Sequence, residues 1–566
     1  MKSNYLKYNT STYLSILIGL IPILFFVYYV WQYTINVPFL DDNLYYTKAV
    51  LDVEKSKSLS ESFWIFMRQH TITEHKTPVS RFVAWLLYKI TGTLNFFTFA
   101  QIGNLTLFGI LFLFWRFFQK HAWNIAYFLP IPFLLFQMQT FENQFWMGCA
   151  WLYYPIGLWQ MVTFYFLSYQ KPRYFLYAML SAVFVTFIFS NGMFVFFPAT
   201  LLLIYQKRHK QLGIMALVAT VCLAIYFSNY KPSPIVPPAF SIPNILTGFV
   251  LMLGSYMDVQ GFHKISPFTA TTVGFIIIGF LIYGGIWLLR RYFNFIPKES
   301  SERESDILFL MASMIALCMS AGAVAYSRYT GEHGFEEMFA SRYRFMSILL
   351  MCLAYLFSLL LTKGTFRKIV LAIFLPLTVF LYAYSYYFWH DYNVYYRERL
   401  VSAAFNFKYH NSWVLYPFDN DWTAQVDVVN VEAIKRGIYK LPILPFSPFQ
   451  EAISKDSIQK ISDLAFTLEQ KKDRFILKNE TLDVENPLKI EQNIVLKSKK
   501  NTYLLPLNRQ KNKSRKDLLF KGNLFWKGFE TDILKNTFIP DEYTIGLLKI
   551  QDGKYDIQYS NLKIKL

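Results

Sequence analysis

The stretch YLSILIGLIPILFFVYYVW, residues 13 to 31, decides the fold class of this chain. It contains no charged residue, and an uncharged apolar run of about 18 or more residues is typical of a helix that crosses a bilayer. Similar runs recur as far as residue 389, and only 16% of the 566 residues are charged, against roughly 25% in soluble domains. We therefore predict a polytopic α-helical membrane protein.

The run at residues 13–31 has no small-residue cleavage site after it, so we predict an uncleaved signal anchor. Lys2 and Lys7 precede it, and the positive-inside rule then predicts a cytoplasmic N-terminus. With this orientation basic residues follow every inward span, and we predict about eleven spans in all. They lie at residues 13–31, 96–118, 123–138, 151–167, 175–189, 193–205, 213–227, 272–289, 307–324, 345–361 and 370–389. Segments 78–94 and 243–258 stay open, because a single extra crossing would reverse everything after it.

The character of the chain changes near residue 390, where long apolar runs end and charged residues become frequent. Alternating apolar and polar residues in QNIVLKSKK, NTYLLPL, EYTIGLLKI and YDIQYSNLKIKL predict β-strands, with turn residues such as QDGK between them. We predict a transmembrane domain over residues 1–390, with its first outer loop at 36–94. An extracytoplasmic connector at 391–450 and an extracytoplasmic α+β or β-sandwich domain at 451–566 follow it.

The net charge of +19 does not indicate nucleic-acid binding, because many of the basic residues fall in short loops between apolar runs, where the positive-inside rule expects them. We therefore expect membrane lipids as partners and no nucleic acid.

The four cysteines lie within or beside apolar runs and show no metal spacing, so we interpret them as buried thiols.

The acidic residues indicate where the chemistry lies. Fifteen of the 37 precede residue 391, and none of these falls in the middle of a predicted span. Eleven of the fifteen map to the outer side in the predicted topology, which favours a shallow outer cavity. Asp41 and Asp42 follow the first span directly. Two adjacent carboxylates beside an apolar wall raise each other's proton affinity, which suits a general base or a metal ligand.

Other polar residues map to the same outer level. Arginines in the loop before the tenth predicted span suit a phosphate, because the guanidinium fork matches its oxygens. The remaining candidates accompany them in the predicted outer loops. The candidate binding residues are Glu74, His75, Lys76, Arg81, Glu142, Asn143, Trp146, Asn191, Arg328, Arg342, Tyr343 and Arg344.

Each feature has a simpler interpretation, which stays open. The carboxylate pair suits solvated residues after a span, Trp146 suits an interfacial aromatic belt, and SNG at residues 190–192 suits a helix-breaking turn. Taken together, the carboxylates, arginines and aromatic residues favour transfer of a group from a lipid-linked phosphate donor to an acceptor outside the membrane.

The order of these motifs resembles bacterial proteins of the GT-C glycosyltransferase superfamily, such as the lipid-A aminoarabinose transferases and the protein O-mannosyltransferases. The motifs are the acidic pair at 41–42, EHKxPxxR at 74–81, ENxxWxG at 142–148, SNG at 190–192 and SRY at 327–329 and 341–343. The resemblance covers roughly residues 1–390. The EHKxPxxR and SRY motifs are similar to an uncharacterised subset and specify no substrate.

The resemblance implies an enzyme of the bacterial cytoplasmic (inner) membrane that takes its sugar from a polyprenyl-phosphate-linked donor. The acceptor would be a surface glycan, a lipid or a protein. Asp41 or Asp42 would be the catalytic base, and Glu74, His75, Arg342 and Arg344 would contact donor or acceptor. Some members need a divalent metal, Mg or Mn, and others do not. No second acidic motif in this sequence demands a metal, although Glu142 or Glu336 could supply a ligand.

Two other functions remain alternatives. An O-antigen or polysaccharide polymerase or ligase also has about a dozen spans, although its largest outer loop usually lies between two late spans. A transporter of lipid-linked glycans should show charged or broken helices near the midplane of the bilayer. The acidic residues here avoid those positions, so we rank the transferase first.

Overall fold

The computed structural model describes residues 10–69, 75–231, 240–258, 265–296, 301–329, 334–415, 420–458 and 461–566. Helices account for most of the described chain up to His410, and the strands lie after it. The helices are α1 (Thr10–Tyr33), α2 (Lys48–Lys55), α3 (Leu59–Met67), α4 (Pro78–Thr91), α5 (Phe96–Gln119), α6 (Pro130–Leu135), α7 (Phe141–Phe145), α8 (Met147–Ser168), α9 (Tyr174–Thr186), α10 (Phe196–Tyr205), α11 (His209–Phe227), α12 (Ile242–Leu253), α13 (Ser266–Tyr292), α14 (Ser301–Arg328), α15 (Ser341–Leu361), α16 (Gly364–His410), α17 (Asn420–Lys435), α18 (Gln450–Lys455) and α19 (Arg515–Lys521). The strands are β1 (Thr467–Gln470), β2 (Arg474–Asn479), β3 (Glu491–Lys497), β4 (Thr502–Pro506), β5 (Asn508–Lys511), β6 (Phe525–Leu534), β7 (Glu542–Gln551) and β8 (Lys554–Lys565).

Within the described ranges, seven helices are long and apolar enough to cross a bilayer: α1, α5, α11, α13, α14, α15 and α16. Each contains 19 or more residues, and at 1.5 Å per residue such helices reach about the 30 Å thickness of the hydrocarbon core. The chain therefore has the helices of a multi-pass membrane protein. The orientation of these helices stays a prediction.

The predicted count of about eleven spans is not confirmed, because four predicted segments differ from a simple spanning helix. Residues 123–138 form short pieces, with a 3₁₀ turn at Ile125–Phe128 and then α6, which begins at Pro130. A proline lacks the N–H that would continue a helix, which explains the break. Helix α8 has membrane length, but its tyrosines, tryptophans and Gln160 reduce its mean hydropathy. The other two segments correspond to α9 and to residues 190–205, which are shorter than the seven.

The chain divides into two compact units. The first comprises residues 1–31, 52–86 and 99–388, and the second comprises residues 32–51, 87–98 and 389–566. The carboxylate pair at 41–42 thus belongs to the same unit as the C-terminal strands, although more than 300 residues separate them in sequence. The predicted boundaries near residues 390 and 450 stay predictions.

Two antiparallel four-stranded sheets form the C-terminal β region of the second unit, in the orders β1-β2-β6-β5 and β4-β3-β7-β8. The four predicted strands are β3, β4, β7 and β8, and together they make up the whole second sheet. The predicted QDGK turn joins β7 to β8, with φ of +51° at Asp552 and +70° at Gly553. Positive φ at both central residues is the geometry of a tight two-residue hairpin.

The C-terminal half of α16 is bonded to these strands through buried polar groups. Glu398 pairs with Arg509, and neither side chain is more than 1% exposed. Arg397 contacts Glu491 at 3.4 Å, and Asn406 exchanges two hydrogen bonds of 2.9 Å with the backbone of Leu504. Because buried charges are stable only when they are paired and hydrogen-bonded, these contacts fix the position of the helix on the sheet.

We expect Arg509→Met to destabilise the protein by ~3–5 kcal/mol, because it leaves the Glu398 carboxyl group buried without its cation. Arg474→Met is the matched control, since Arg474 is 38% exposed and pairs with Asp473 and Asp532 near the surface. Its expected cost is ~0–1 kcal/mol. Thermal unfolding of the full chain in detergent measures both, and equal losses would contradict the assignment of Glu398–Arg509 as the stabilising pair.

Candidate functional site

Residues 39–43, here called the carboxylate turn, hold Asp41 and Asp42 in a closely bonded loop of the second unit. Asp42 is fully buried, and its Oδ2 accepts a hydrogen bond of 3.0 Å from the backbone N–H of Phe39. The side chain of Asn43 donates to the carbonyl of Leu40 at 2.8 Å. The loop is therefore held by side chains of its own residues.

The backbone of the carboxylate turn is strained. Leu40 has φ of +44°, a left-handed conformation that costs a non-glycine residue about 1–3 kcal/mol. A π-helix, Asn43–Thr47, follows at once, and all five of its residues are buried. Strained backbone and single π-helical turns occur preferentially at functional sites. The geometry of this loop thus agrees with a functional carboxylate, independently of the sequence motif.

Helix α17 fixes the turn from outside. Asn430 is fully buried, and its Nδ2 donates to Oδ1 of Asn43 at 2.7 Å and to the carbonyl of Val426 at 2.8 Å. A second hydrogen bond in the same unit runs from the hydroxyl of Tyr439 to the carbonyl of Asn36, at 2.8 Å. Sequence reasoning missed Asn430, because nothing local marks one asparagine among the polar residues of an amphipathic helix.

The two aspartates differ in exposure. Asp42 has no accessible surface, whereas Asp41 is partly exposed. A general base must come within hydrogen-bond reach of the proton it removes. The geometry therefore assigns Asp41 the accessible position and Asp42 a role inside the turn, a distinction that the sequence left open.

A second group of candidates meets in the first unit around Arg342, at the start of α15. We call Glu142, Glu337, Arg342 and Tyr343 the arginine cluster. The guanidinium contacts Glu142 at 3.2 Å and Glu337 at 3.5 Å, and it lies 4.7 Å from the centre of the Tyr343 ring. The Arg342 side chain remains 25% exposed. The cluster thus presents a partly accessible cation whose orientation is fixed by two carboxylates.

Backbone contacts join the two segments that carry this cluster. Glu142 accepts from the backbone N–H of Arg342 at 2.9 Å, and the Asn143 side chain donates to the Arg342 carbonyl at 3.1 Å. The hydroxyl of Ser341 accepts from the N–H of Glu142, also at 3.1 Å. The ENxxWxG and second SRY motifs, about 200 residues apart in sequence, therefore form one structural element.

Aromatic rings connect the arginine cluster with the EHKxPxxR and SNG motifs. Tyr343 lies 5.8 Å from Tyr153, which lies 6.3 Å from Phe189, and Phe189 lies 4.3 Å from the ring of His75. Nδ1 of His75 is 3.2 Å from the hydroxyl of Ser190. Four separate motifs thus converge in the first unit. Tyr153 and Phe189 were missed, because aromatic residues in apolar runs look like ordinary core.

Glycine is required within the SNG turn. A Cβ at Gly192 would overlap the carbonyl oxygen of Val185 in α9, so a larger residue would displace the backbone. The carbonyl of Asn191 accepts a hydrogen bond of 3.0 Å from Gln160 in α8. The turn is consequently packed against α8 and α9. It can therefore break the helix and also lie beside a binding site, so the two predictions made for SNG are compatible.

Five of the predicted binding residues are buried, and the three basic ones outside the arginine cluster, Lys76, Arg81 and Arg344, bond other parts of the protein. Nζ of Lys76 donates to the carbonyl of Ser228 at 2.6 Å, and burial lowers the pKa of this lysine. Arg81 donates to the carbonyls of Phe66 and Arg68 at the end of α3. Arg344 is fully buried, pairs with Asp258 and donates to the carbonyl of Phe339 at 2.7 Å. These contacts are structural, and a direct role in binding stays a prediction.

The other predicted residues are scattered. Arg328 is exposed at the last turn of α14, and Trp146 is half-buried where α7 meets α8. Glu74 lies outside the described residues. Among the described residues, no group of three or more His, Cys, Asp or Glu side chains is arranged to hold a metal ion. Metal dependence stays a prediction.

No family model, curated protein or solved structure matches this chain. The resemblance to the GT-C superfamily therefore depends on the motifs alone.

We expect Asn430→Ala to destabilise the second unit by ~1–3 kcal/mol, because it removes the donor to Oδ1 of Asn43 from a buried position. Gln425→Ala is the control, since it changes an exposed residue of the same helix and should cost no more than ~0.5 kcal/mol. Hydrogen exchange of the amides at 39–47 measures the effect locally. Unchanged exchange in Asn430→Ala would show that α17 does not fix the turn.

Proposed function

We propose that this chain is a membrane glycosyltransferase of the GT-C type. It moves a sugar from a polyprenyl-phosphate-linked donor to a hydroxyl group of a glycan, lipid or protein at the outer face of the cytoplasmic membrane. The observation that carries the proposal is the carboxylate turn, in which strained backbone holds one accessible and one buried aspartate. Strained residues of this kind cluster at functional sites.

Asp41 acts as the general base. Its carboxylate accepts the proton of the acceptor hydroxyl while that oxygen forms a bond to the anomeric carbon of the donor sugar. The bond between the anomeric carbon and the phosphate oxygen breaks, and its electron pair leaves with polyprenyl phosphate. The buried Asp42 holds the turn through the N–H of Phe39, so that Asp41 keeps one orientation.

Arg342, in the first unit, has the chemistry to bind a phosphate group. A guanidinium has five N–H donors, and the contacts to Glu142 and Glu337 engage Nη1 and Nη2. Donors therefore remain for phosphate oxygens, and the two carboxylates hold the fork in position before substrate arrives. Charge stabilisation by such preorganised groups is usually the largest contribution to catalysis.

The aromatic path from Tyr343 to His75 supports a binding surface beside Arg342. Pockets for small ligands are lined mainly by aromatic and apolar side chains, with a few polar groups that fix orientation. Tyr153 is half-buried, as is His75, which is 3.2 Å from Ser190. Arg342 and Asp41 belong to different units, and each role is assigned from the residue's own chemistry.

We expect Asp41→Asn to abolish product formation, because an amide cannot accept the proton and a general base contributes ~10²–10⁴-fold in rate. Asp42→Asn should retain activity, since its side-chain oxygen can still accept from Phe39. The measurement is complementation of a deletion strain, with mass spectrometry of surface glycans and of polyprenyl-phosphate sugars. The lipid-linked donor should accumulate with Asp41→Asn. Full rescue by both variants, at normal protein level, would refute the transferase and favour transport.

Arg342→Lys should lower kcat/KM by ~10²–10³-fold, because lysine keeps the charge but lacks the fork that matches two phosphate oxygens. Arg290→Lys is the control, as Arg290 is exposed in the last turn of α13 and belongs to none of the motifs. Purified enzyme with a synthetic polyprenyl-phosphate sugar measures both. Equal activity of the two variants would remove Arg342 from the mechanism.

A further inference from the structure

Residues 511–527, here called the basic hairpin, combine a high positive charge with exposed aromatic side chains. The segment contains six basic residues and one acidic residue, Asp517. Phe520 is 83% exposed and Trp526 is 41% exposed. Lysines 513, 516, 521 and 527 are exposed as well. Exposed aromatic rings among lysines are unusual on a water-facing surface, and they are typical of peptide segments that bind the interface of a charged bilayer.

The hairpin has regular secondary structure, so its backbone presents these side chains from defined positions. It connects the paired strands β5 and β6, in which Lys511 faces Phe525. The short helix α19 between them is capped at its N-terminus by Ser514, whose hydroxyl accepts from the N–H of Asp517 at 3.2 Å. At its C-terminus it is capped by Gly522, which has φ of +65°. Phe520 is consequently presented by capped secondary structure.

The base of the hairpin is attached to α16 where its apolar stretch ends. Lys511 pairs with Asp391 at 3.2 Å, and the ring of Phe525 stacks on His390 with centres 5.4 Å apart. Tyr392, 48% exposed, lies 5.9 Å from Nζ of Lys511. All these residues belong to the second unit. These contacts therefore place the base of the hairpin beside residues 390–392 of α16.

That level corresponds to a membrane boundary. Residues 369–390 of α16 contain no Asp, Glu, Lys or Arg, and 22 helical residues extend over ~33 Å, about the thickness of the hydrocarbon core. Asp391 is the first charge after this stretch, and Trp389 and Tyr392 flank it. Aromatic residues at the end of an apolar stretch mark the headgroup level.

We propose that the basic hairpin docks on anionic phospholipid headgroups beside α16, with Phe520 inserted among the acyl chains near the phosphates. Its lysines complement the negative headgroups, and its attachment to residues 390–392 holds it at their level. Docking fixes the distance of the C-terminal sheets from the bilayer. The inference is independent of the proposed transferase activity, because it uses none of the candidate site residues.

The test places an environment-sensitive NBD fluorophore on a Phe520→Cys variant of the full chain in lipid nanodiscs. The four native cysteines are buried, and labelling of the unmodified chain gives the background. The control is Lys472→Cys, which is exposed and lies by the opposite end of β6, ~30 Å from Phe525 along the strand. The discs contain phosphatidylcholine alone or with phosphatidylglycerol, plus a lipid that carries a nitroxide quencher near its headgroup.

We expect strong quenching at position 520 in discs with phosphatidylglycerol, weaker quenching with phosphatidylcholine alone, and none at position 472. The triple variant Lys513→Glu, Lys516→Glu and Lys521→Glu should lose the quenching at 520 while it keeps the melting temperature of the parent, because all three residues are exposed. Equal quenching at 520 and 472, or quenching unaffected by the triple variant, would overturn the proposal. A fluorescence shift with soluble acidic polysaccharide but not with anionic lipid would also overturn it and assign the surface to a glycan.

Discussion

The cost of burying a polar group without a partner determines where the charged residues of this protein lie. In hydrocarbon an unsatisfied backbone group costs several kcal/mol, so the apolar part of the chain forms helices, which bond their own backbone. The same cost applies in the second unit, where Glu398 is buried against Arg509 and Glu491 against Arg397. Glu398 and Arg397 both lie on α16. The apolar part of this helix bonds its own backbone, and its C-terminal part pairs its buried charges with residues of the strands.

The carboxylate turn and the arginine cluster both hold charged side chains in place through hydrogen bonds to neighbouring residues. In the carboxylate turn, Asp42 is buried because the N–H of Phe39 donates to it, and Asn430 holds the adjacent Asn43. In the arginine cluster, Glu142 bonds both the backbone and the side chain of Arg342. Asp42 is buried beside the partly exposed Asp41, whereas Glu142 and Arg342 are both partly exposed. A preorganised reactive group needs this kind of support, because its own rotamer must be held by neighbours.

Local patterns in the sequence predicted some elements well and others not at all. Strands β3, β4, β7 and β8 were predicted because alternation and the QDGK turn are local signals, and they make up one complete sheet. Strands β1, β2, β5 and β6 of the other sheet were missed. Residues such as Arg474 and Lys478 make parts of these strands look like solvated loop. Likewise the chain after residue 390 gave no sign that α16 continues to His410, since helix length there depends on contacts with a distant sheet.

Long-range partners explain why the motifs alone could not separate binding residues from structural ones. Lys76, Arg81 and Arg344 lie in the same motifs as His75 and Arg342, yet they are buried and donate to backbone carbonyls of the protein itself. Arg344 also pairs with the distant Asp258. The spacing of EHKxPxxR and SRY does not distinguish a side chain that bonds its own protein, as Lys76 bonds Ser228, from one that binds a substrate phosphate. Exposure distinguishes them, because a group that has lost its water and gained a permanent partner has little left to offer a substrate. Asp41 and Arg342 are partly exposed, so they remain the candidates for a direct role in chemistry, and that role stays a prediction.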